Sequence, residues 1–161
     1  MIYFGIDPGK SGGIGATWDD GKPYVSCCRF DGTEHDVADW LKSFDLSQAV
    51  AVLEQVNAMP KQGVTSSFNF GSQFGFCRGI LTGLSIPFKL VRPLKWQTFL
   101  GCRTGGDKNV TKAEAQRRWP TLKITHRNAD CLLLAEYARV EAWKDYHPSG
   151  VNWEQAMGVR T

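Results

Sequence analysis

Residues 49–53, Ala-Val-Ala-Val-Leu, form an unbroken apolar run that ends on Glu54. Continuous apolar residues with no polar alternation belong to a central strand covered on both faces. Residues 1–6 make a similar run rich in strand formers, and it ends on Asp7-Pro8-Gly9. Pro and Gly mark a turn, so Asp7 is placed at the end of the first strand. Two strands that each close on an acid set the frame for everything else in the chain.

The remaining elements follow from periodicity. Residues 13–18 and 24–30 read as a second and a third strand, joined by a hairpin at Asp19-Asp20-Gly21-Lys22. Residues 35–44 have helical spacing, with Val37, Trp40, Leu41 and Phe44 on one face. After the polar loop 57–66, residues 66–84 read as a helix and 86–91 as a strand ending at Arg92-Pro93. A short helical turn at 94–100, a basic loop at 101–109, and helices at 111–119 and 129–140 complete the order. An antiparallel meander followed by strand–helix–strand units implies an α/β fold: a mixed five-stranded sheet with helices on its faces.

A chain of 161 residues suits one domain over 1–161, with the tail from about 146 the least patterned part. Five cysteines, an odd number without zinc-site spacing, fit a reducing compartment. The chain opens on no charged-then-apolar leader and contains no apolar run of membrane-spanning length. A cytoplasmic protein is expected. The formal net charge is only +3. Charge is clustered, however: residues 89–118 carry eight basic side chains against Asp107 and Glu114. That stretch reads either as a solvated basic face or as a surface that tracks phosphates.

Asp7, Glu54 and Asp130 stand where acids are locally out of place. The first two close apolar strands, and Asp130 lies in the first turn of an apolar-faced helix. Taken singly, Asp7 reads as a turn acid and Asp130 as a favourable charge at a helix start. Glu54 is harder to read structurally, since Glu directly after Ala-Val-Leu is a poor choice for a strand end. Three converging carboxylates repel one another and call for a counter-charge. Oxygen-only ligands select Mg2+ or Mn2+ over zinc. Two such ions about 4 Å apart activate a water and stabilise a leaving phosphate oxygen.

These segments resemble a known family. Ile2-Tyr3-Phe4-Gly5-Ile6-Asp7-Pro8-Gly9 is similar to the first strand of RuvC-type Holliday junction resolvases, which have a ribonuclease H-like fold. Val52-Leu53-Glu54-Gln55-Val56 resembles their second acidic strand, and 128–135 resembles their C-terminal acidic helix. Gly75-Phe76-Cys77-Arg78-Gly79 resembles the helix after the glutamate. The order matches over residues 1–140. The Leu-Leu-Leu-Ala-Glu-Tyr ending resembles phage-encoded members, which would place the protein in a bacterial host cell.

The resemblance implies a metal-dependent endonuclease that cuts Holliday junctions or other branched DNA during recombination and repair. It makes Asp7, Glu54 and Asp130 ligands of Mg2+ or Mn2+, two ions per site. Bacterial members place a fourth Asp or His three residues before the last Asp; here that position is Arg127. His126 stands one turn before Asp130: it faces the same metal if the helix begins early enough, and otherwise reads as a loop or capping residue. Asn128 is the second choice. Bacterial members also carry a junction-contacting aromatic three residues after the glutamate. Asn57 occupies that position here, leaving Met59, Phe68 or Phe70 as substitutes.

Gly71, Gly75, Gly79 and Gly83 recur every four residues on one helix. Each costs about 1 kcal/mol relative to Ala, so the face they make needs a compensating close contact. Tight packing on the sheet and a symmetric helix–helix seam are both open. The resemblance favours the seam, since a homodimer would present two active sites to a four-way junction. Lys10, Arg78, Lys95, Arg103, Lys108 and Lys112 are the candidate phosphate contacts. Pro93-Leu94-Lys95-Trp96-Gln97 and the loop 103–109 also read as phosphate-binding. The family has a lysine near the scissile phosphate, which Lys112 matches better than Lys108.

Two nucleotide-binding readings fail. A P-loop ending at Gly9-Lys10-Ser11 requires Gly where Phe4 stands. ATPases of the sugar-kinase and actin type need a second similar half, for which the chain is too short. The remaining alternative to an enzyme is a catalytically inactive nucleic-acid-binding or scaffold protein of the same fold.

Overall fold

The computed structural model describes residues 1–9, 11–19, 23–55 and 63–146. Its mixed sheet contains β1 (Ile2–Asp7), β2 (Gly13–Trp18), β3 (Pro23–Arg29), β4 (Ala49–Glu54) and β5 (Phe88–Val91), in the order β3-β2-β1-β4-β5. The first three strands form the antiparallel meander, while β4 and β5 run parallel to β1.

Register then decides what each face carries. Ile2 pairs with Ala49, and the parallel ladder continues to Ile6 beside Leu53. Asp7 and Glu54 therefore follow side by side at the carboxyl ends of neighbouring strands. Alternation sends Ile2, Phe4, Ile6, Ala51 and Leu53 into the core under α1 (Glu34–Lys42) and α2 (Val64–Gly83). It sends Tyr3, Val50 and Val52 to the opposite core, under α4 (Asn109–Arg118) and α5 (Ala129–Tyr137). Asp7 and Glu54 share that second side, where α3 (Pro93–Phe99) also packs through Trp96.

Two glycines seat α5 on the sheet. Gly5 of β1 faces Gly15 of β2 across the antiparallel ladder. A Cβ on Gly5 would collide with the backbone of Cys131, Leu134 and Ala135; one on Gly15 would press on Cys131 and Leu132. The missing side chains let the helix backbone lie directly on the strands. Sequence periodicity gave α5 one apolar face, but every residue of Ala129–Tyr137 except Asp130 is buried. Sheet, α3 and α4 together enclose it. The helix ends earlier than its apolar pattern implied, passing into a π-helical turn at Ala138–Ala142.

The glycine face of α2 does not pack on the sheet. Beyond the helix's own backbone, a Cβ added at Gly71, Gly75, Gly79 or Gly83 would meet no atom of the described residues within 4 Å. The helix instead buries Cys77 and Leu81, leaving Val64 and Phe68 in solvent.

Candidate active site

Seating α5 on Gly5 fixes where its first turn falls. Asp130 precedes Cys131, and Asp7 lies two residues beyond Gly5 on the same face of β1. The geometry thus brings the N-terminal end of α5 to the paired strand ends carrying Asp7 and Glu54. Electrostatics report the same proximity. Burial raises the Asp7 carboxyl above its ordinary value, and the Asp130 charge adds to the rise; the Gly9 amide and the Lys108 charge oppose it. Burial, Asp7 and Asp130 push Glu54 up to about 7 against a hydrogen bond from Trp96 and the Lys108 charge.

Each carboxylate is held differently. The Gly9 amide donates to Asp7 Oδ1 at 2.9 Å, closing the turn after β1. Gly12 leaves no room for a Cβ beside the Asp7 carbonyl, so the return into β2 passes tightly around this acid. The Trp96 indole Nε1 donates to Glu54 Oε1 at 2.8 Å. Asp130 Oδ1 is buried and has no hydrogen-bond partner among the described residues. A buried carboxylate oxygen without a donor is costly to keep, and a cation removes that cost.

The side chains do not form a closed metal cage. Among the described residues, no group of three or more His, Cys, Asp or Glu side chains is drawn together around one point. Uncompensated like charges resist such convergence. The donor set nevertheless fits a hard divalent ion: oxygen atoms only, mutual repulsion at Asp7 and Glu54, and the orphaned oxygen of Asp130. Nearby Cys77 is pushed up to about 12 by burial and by the Asp7 charge, so it remains a neutral thiol.

The fourth-ligand candidates fare differently. Because α5 begins at Ala129, His126 lies in the preceding turn, exposed to solvent. The shared helix face that would have paired it with Asp130 is therefore absent. Asn128 is engaged in the loop: its Oδ1 accepts from Thr125 N and Oγ1 at 2.7 and 3.1 Å, and its Nδ2 donates to the Lys123 carbonyl at 3.1 Å.

The basic stretch divides in two. Arg117 and Arg118 bind Glu114 at 2.8 and 2.7 Å, and Arg118 reaches Glu136 at 3.5 Å. Arg139 completes this clamp between α4 and α5 through Glu136 at 2.8 Å. Lys89 donates to the Ala142 carbonyl and lies 4.2 Å from the Trp143 ring centroid. These cations are engaged within the fold. Lys95 is exposed, but it lines a separate cavity with Val52, Val91, Tyr137 and Glu141. Trp96, read as part of a phosphate-binding stretch, is instead fully buried.

Lys108 and Arg103 are exposed on the loop before α4. The Lys108 charge reaches Asp7 and Glu54, and Lys112 lies a turn further along α4. On the other side of Asp7, Pro8 and Gly9 border a cleft of about 460 Å³ with Phe30, Asn69, Phe70 and Gln73. Phe68, 74% exposed, stands free on α2, whereas Arg78 lies 5.9 Å from the Phe74 ring centroid. Lys10, Asn57 and Met59 fall outside the described residues.

Two solved structures share this arrangement of elements. One is T. thermophilus RuvC in complex with a Holliday junction substrate, at a TM-score of 0.65 and 15% identity, covering 88% of this chain and 97% of that one. The other is a Thermus thermophilus RuvC structure, at a TM-score of 0.55 and 15% identity, covering 86% and 96%. The chain has a RuvC-like fold. No protein-family model and no curated protein matches the sequence. The likeness to RuvC is one of fold. Among the described residues, no helix is long and apolar enough to cross a membrane.

Proposed function

We propose that the protein is a metal-dependent endodeoxyribonuclease acting on branched DNA, with Holliday junctions as its principal substrate. The observation carrying this reading is the register of β1 and β4, which sets Asp7 beside Glu54 under the first turn of α5. Asp7, Glu54 and Asp130 would hold Mg2+ or Mn2+, two ions in the full site. When bound, such ions supply an activated water and neutralise charge on the leaving oxygen. The protein's own groups do the rest. Gly9 and Trp96 orient two of the carboxylates, while Lys108 offers a positive charge to a phosphate approaching the strand ends. The N-terminal end of α5 adds a partial positive charge at the same place.

Arg103, Lys112 and, more peripherally, Arg78 and Lys95 would contact the flanking backbone, and Phe68 and Phe70 are the available aromatic surfaces for unpaired bases. Lys10 adjoins Asp7 in sequence and belongs with these phosphate contacts. His126 remains a candidate for an outer metal position only if its turn rearranges. Gly71, Gly75, Gly79 and Gly83 present an open helix face suited to a second copy of the chain, giving a homodimer with two cutting sites. The fold resemblance to a junction-bound RuvC supports the choice of substrate. Side-by-side incubation of end-labelled four-way junctions, forks, flaps and linear duplex with Mg2+ or Mn2+ tests the reading. Paired nicks in the junction at the lowest enzyme concentration are expected. Binding without any cleavage would favour an inactive scaffold.

A further inference from the structure

We propose that Trp96 is a positioning residue for the metal site: its indole holds one oxygen of Glu54, so that the other is left for the cation. The proposal rests on the metal-site reading above, though not on the identity of the DNA substrate. Trp96 is fully buried within α3, and its Nε1 donates to Glu54 Oε1 at 2.8 Å across 42 positions of sequence. The contact follows from topology. Glu54 pairs with Val91 at the end of β5, the chain turns at Arg92, and Pro93 starts α3. One helical turn then carries Trp96 back beneath the end of β4.

The indole suits this task chemically. It is a donor only, so it cannot be mistaken for a metal ligand. It is neutral, so it orients the carboxylate without cancelling the charge that attracts the cation. Lys or Arg at the same place would form an ion pair and compete with the metal. Because the ring is fully buried in the core cluster that also contains Tyr3, Val52, Val91 and Leu133, the direction of the N–H is fixed by packing. Partners that orient a metal-binding side chain in this way typically alter metal affinity by about 10–100-fold when removed.

The test uses the full chain with 15N-labelled tryptophan. Trp96→Phe assigns the Trp96 indole signal by its disappearance. Titration with Mg2+ should move that signal in the wild type, and Glu54→Gln should abolish the response. Direct Mn2+ binding, followed by the electron paramagnetic resonance of the free ion, should weaken about 10–100-fold in Trp96→Phe. An indole signal unmoved at saturating cation, or unchanged Mn2+ affinity in Trp96→Phe, overturns the proposal. Should Trp96→Phe fail to fold, sequential triple-resonance assignment of the wild type identifies the Trp96 indole, and its shift with Mg2+ and loss of response in Glu54→Gln decide the matter. A wild type that binds no divalent cation removes both the metal site and this role. A wild type that binds Mn2+ without cutting DNA removes the nuclease reading and leaves the role of Trp96 intact.

Discussion

Helices α5 and α2 lie on opposite sides of the sheet and meet it in opposite ways. In α5, glycines of the sheet give way to the helix: Gly5 and Gly15 have no side chains, so its backbone rests on the strands. In α2 the glycines belong to the helix itself and point away from the sheet into open space. The first arrangement gives a rigid seat, which is where precision is needed to keep Asp130 over Asp7 and Glu54. The second gives a long helix with only Cys77 and Leu81 fully buried, and a face with no occupant among the described residues. Glycine in a regular element therefore carries two meanings here, and the direction of its Cβ tells them apart.

Substitution at the two kinds of glycine breaks the comparison most severely. Gly5→Ala forces a methyl into the backbone of α5 and should destabilise the fold by about 3 kcal/mol or more, read from chemical denaturation. Wild-type stability in that variant would show that α5 is not seated as described. Next in size is the contrast between the cations on the two sides. Lys108→Ala should weaken junction binding and reduce the salt slope by about 1, as expected for one lost phosphate contact. Arg78→Ala should have a smaller effect, and an equal effect would spread the DNA path across both faces.

The raised carboxyls on the α5 side predict how stability depends on pH. Asp7 and Glu54 bind protons more tightly in the folded protein than in the unfolded chain. Below the unfolded values both are neutral in either state, and no penalty applies. As pH rises from the ordinary carboxylate range to about 7, the folded protein must accept buried charge and loses stability. The metal-free melting temperature should fall over that window, and Mg2+ should restore more of it at pH 8 than at pH 5. A flat profile with no metal effect would contradict the electrostatic coupling. The smallest effect is expected at Gly75→Ala. The added methyl should stabilise the α2 helix by about 0.5–1 kcal/mol yet shift sedimentation toward monomer by obstructing the seam. A gain in stability with unchanged mass would remove that face from the dimer.

Much of this was legible in the sequence because strand patterning is a local signal. The apolar runs ending on Asp7 and Glu54, and the acid in the first turn of α5, mark the candidate carboxylates from local pattern alone. What sequence could not show depended on direction and pairing. Gly5 looked like one more small residue in a strand until the helix above it was known. Trp96 sat among Pro93, Lys95 and Gln97, where polar neighbours suggested a surface; burial beside β4 instead makes it a partner of Glu54. Arg117 and Arg118 counted toward a basic face, although Glu114 and Glu136 engage them. The start of α5 at Ala129 was one turn later than His126 needed. Each miss involves a long-range partner or an element boundary, neither of which hydrophobic period encodes.

The central claim is that Asp7, Glu54 and Asp130 act as a metal-holding site for DNA cleavage. Cleavage of a labelled four-way junction by wild type and Asp7→Asn, with binding measured on the same samples, tests it most directly. The account predicts that Asp7→Asn binds the junction but cuts at least about a hundredfold more slowly at saturating Mg2+. Cleavage by Asp7→Asn within a few-fold of wild type would contradict it.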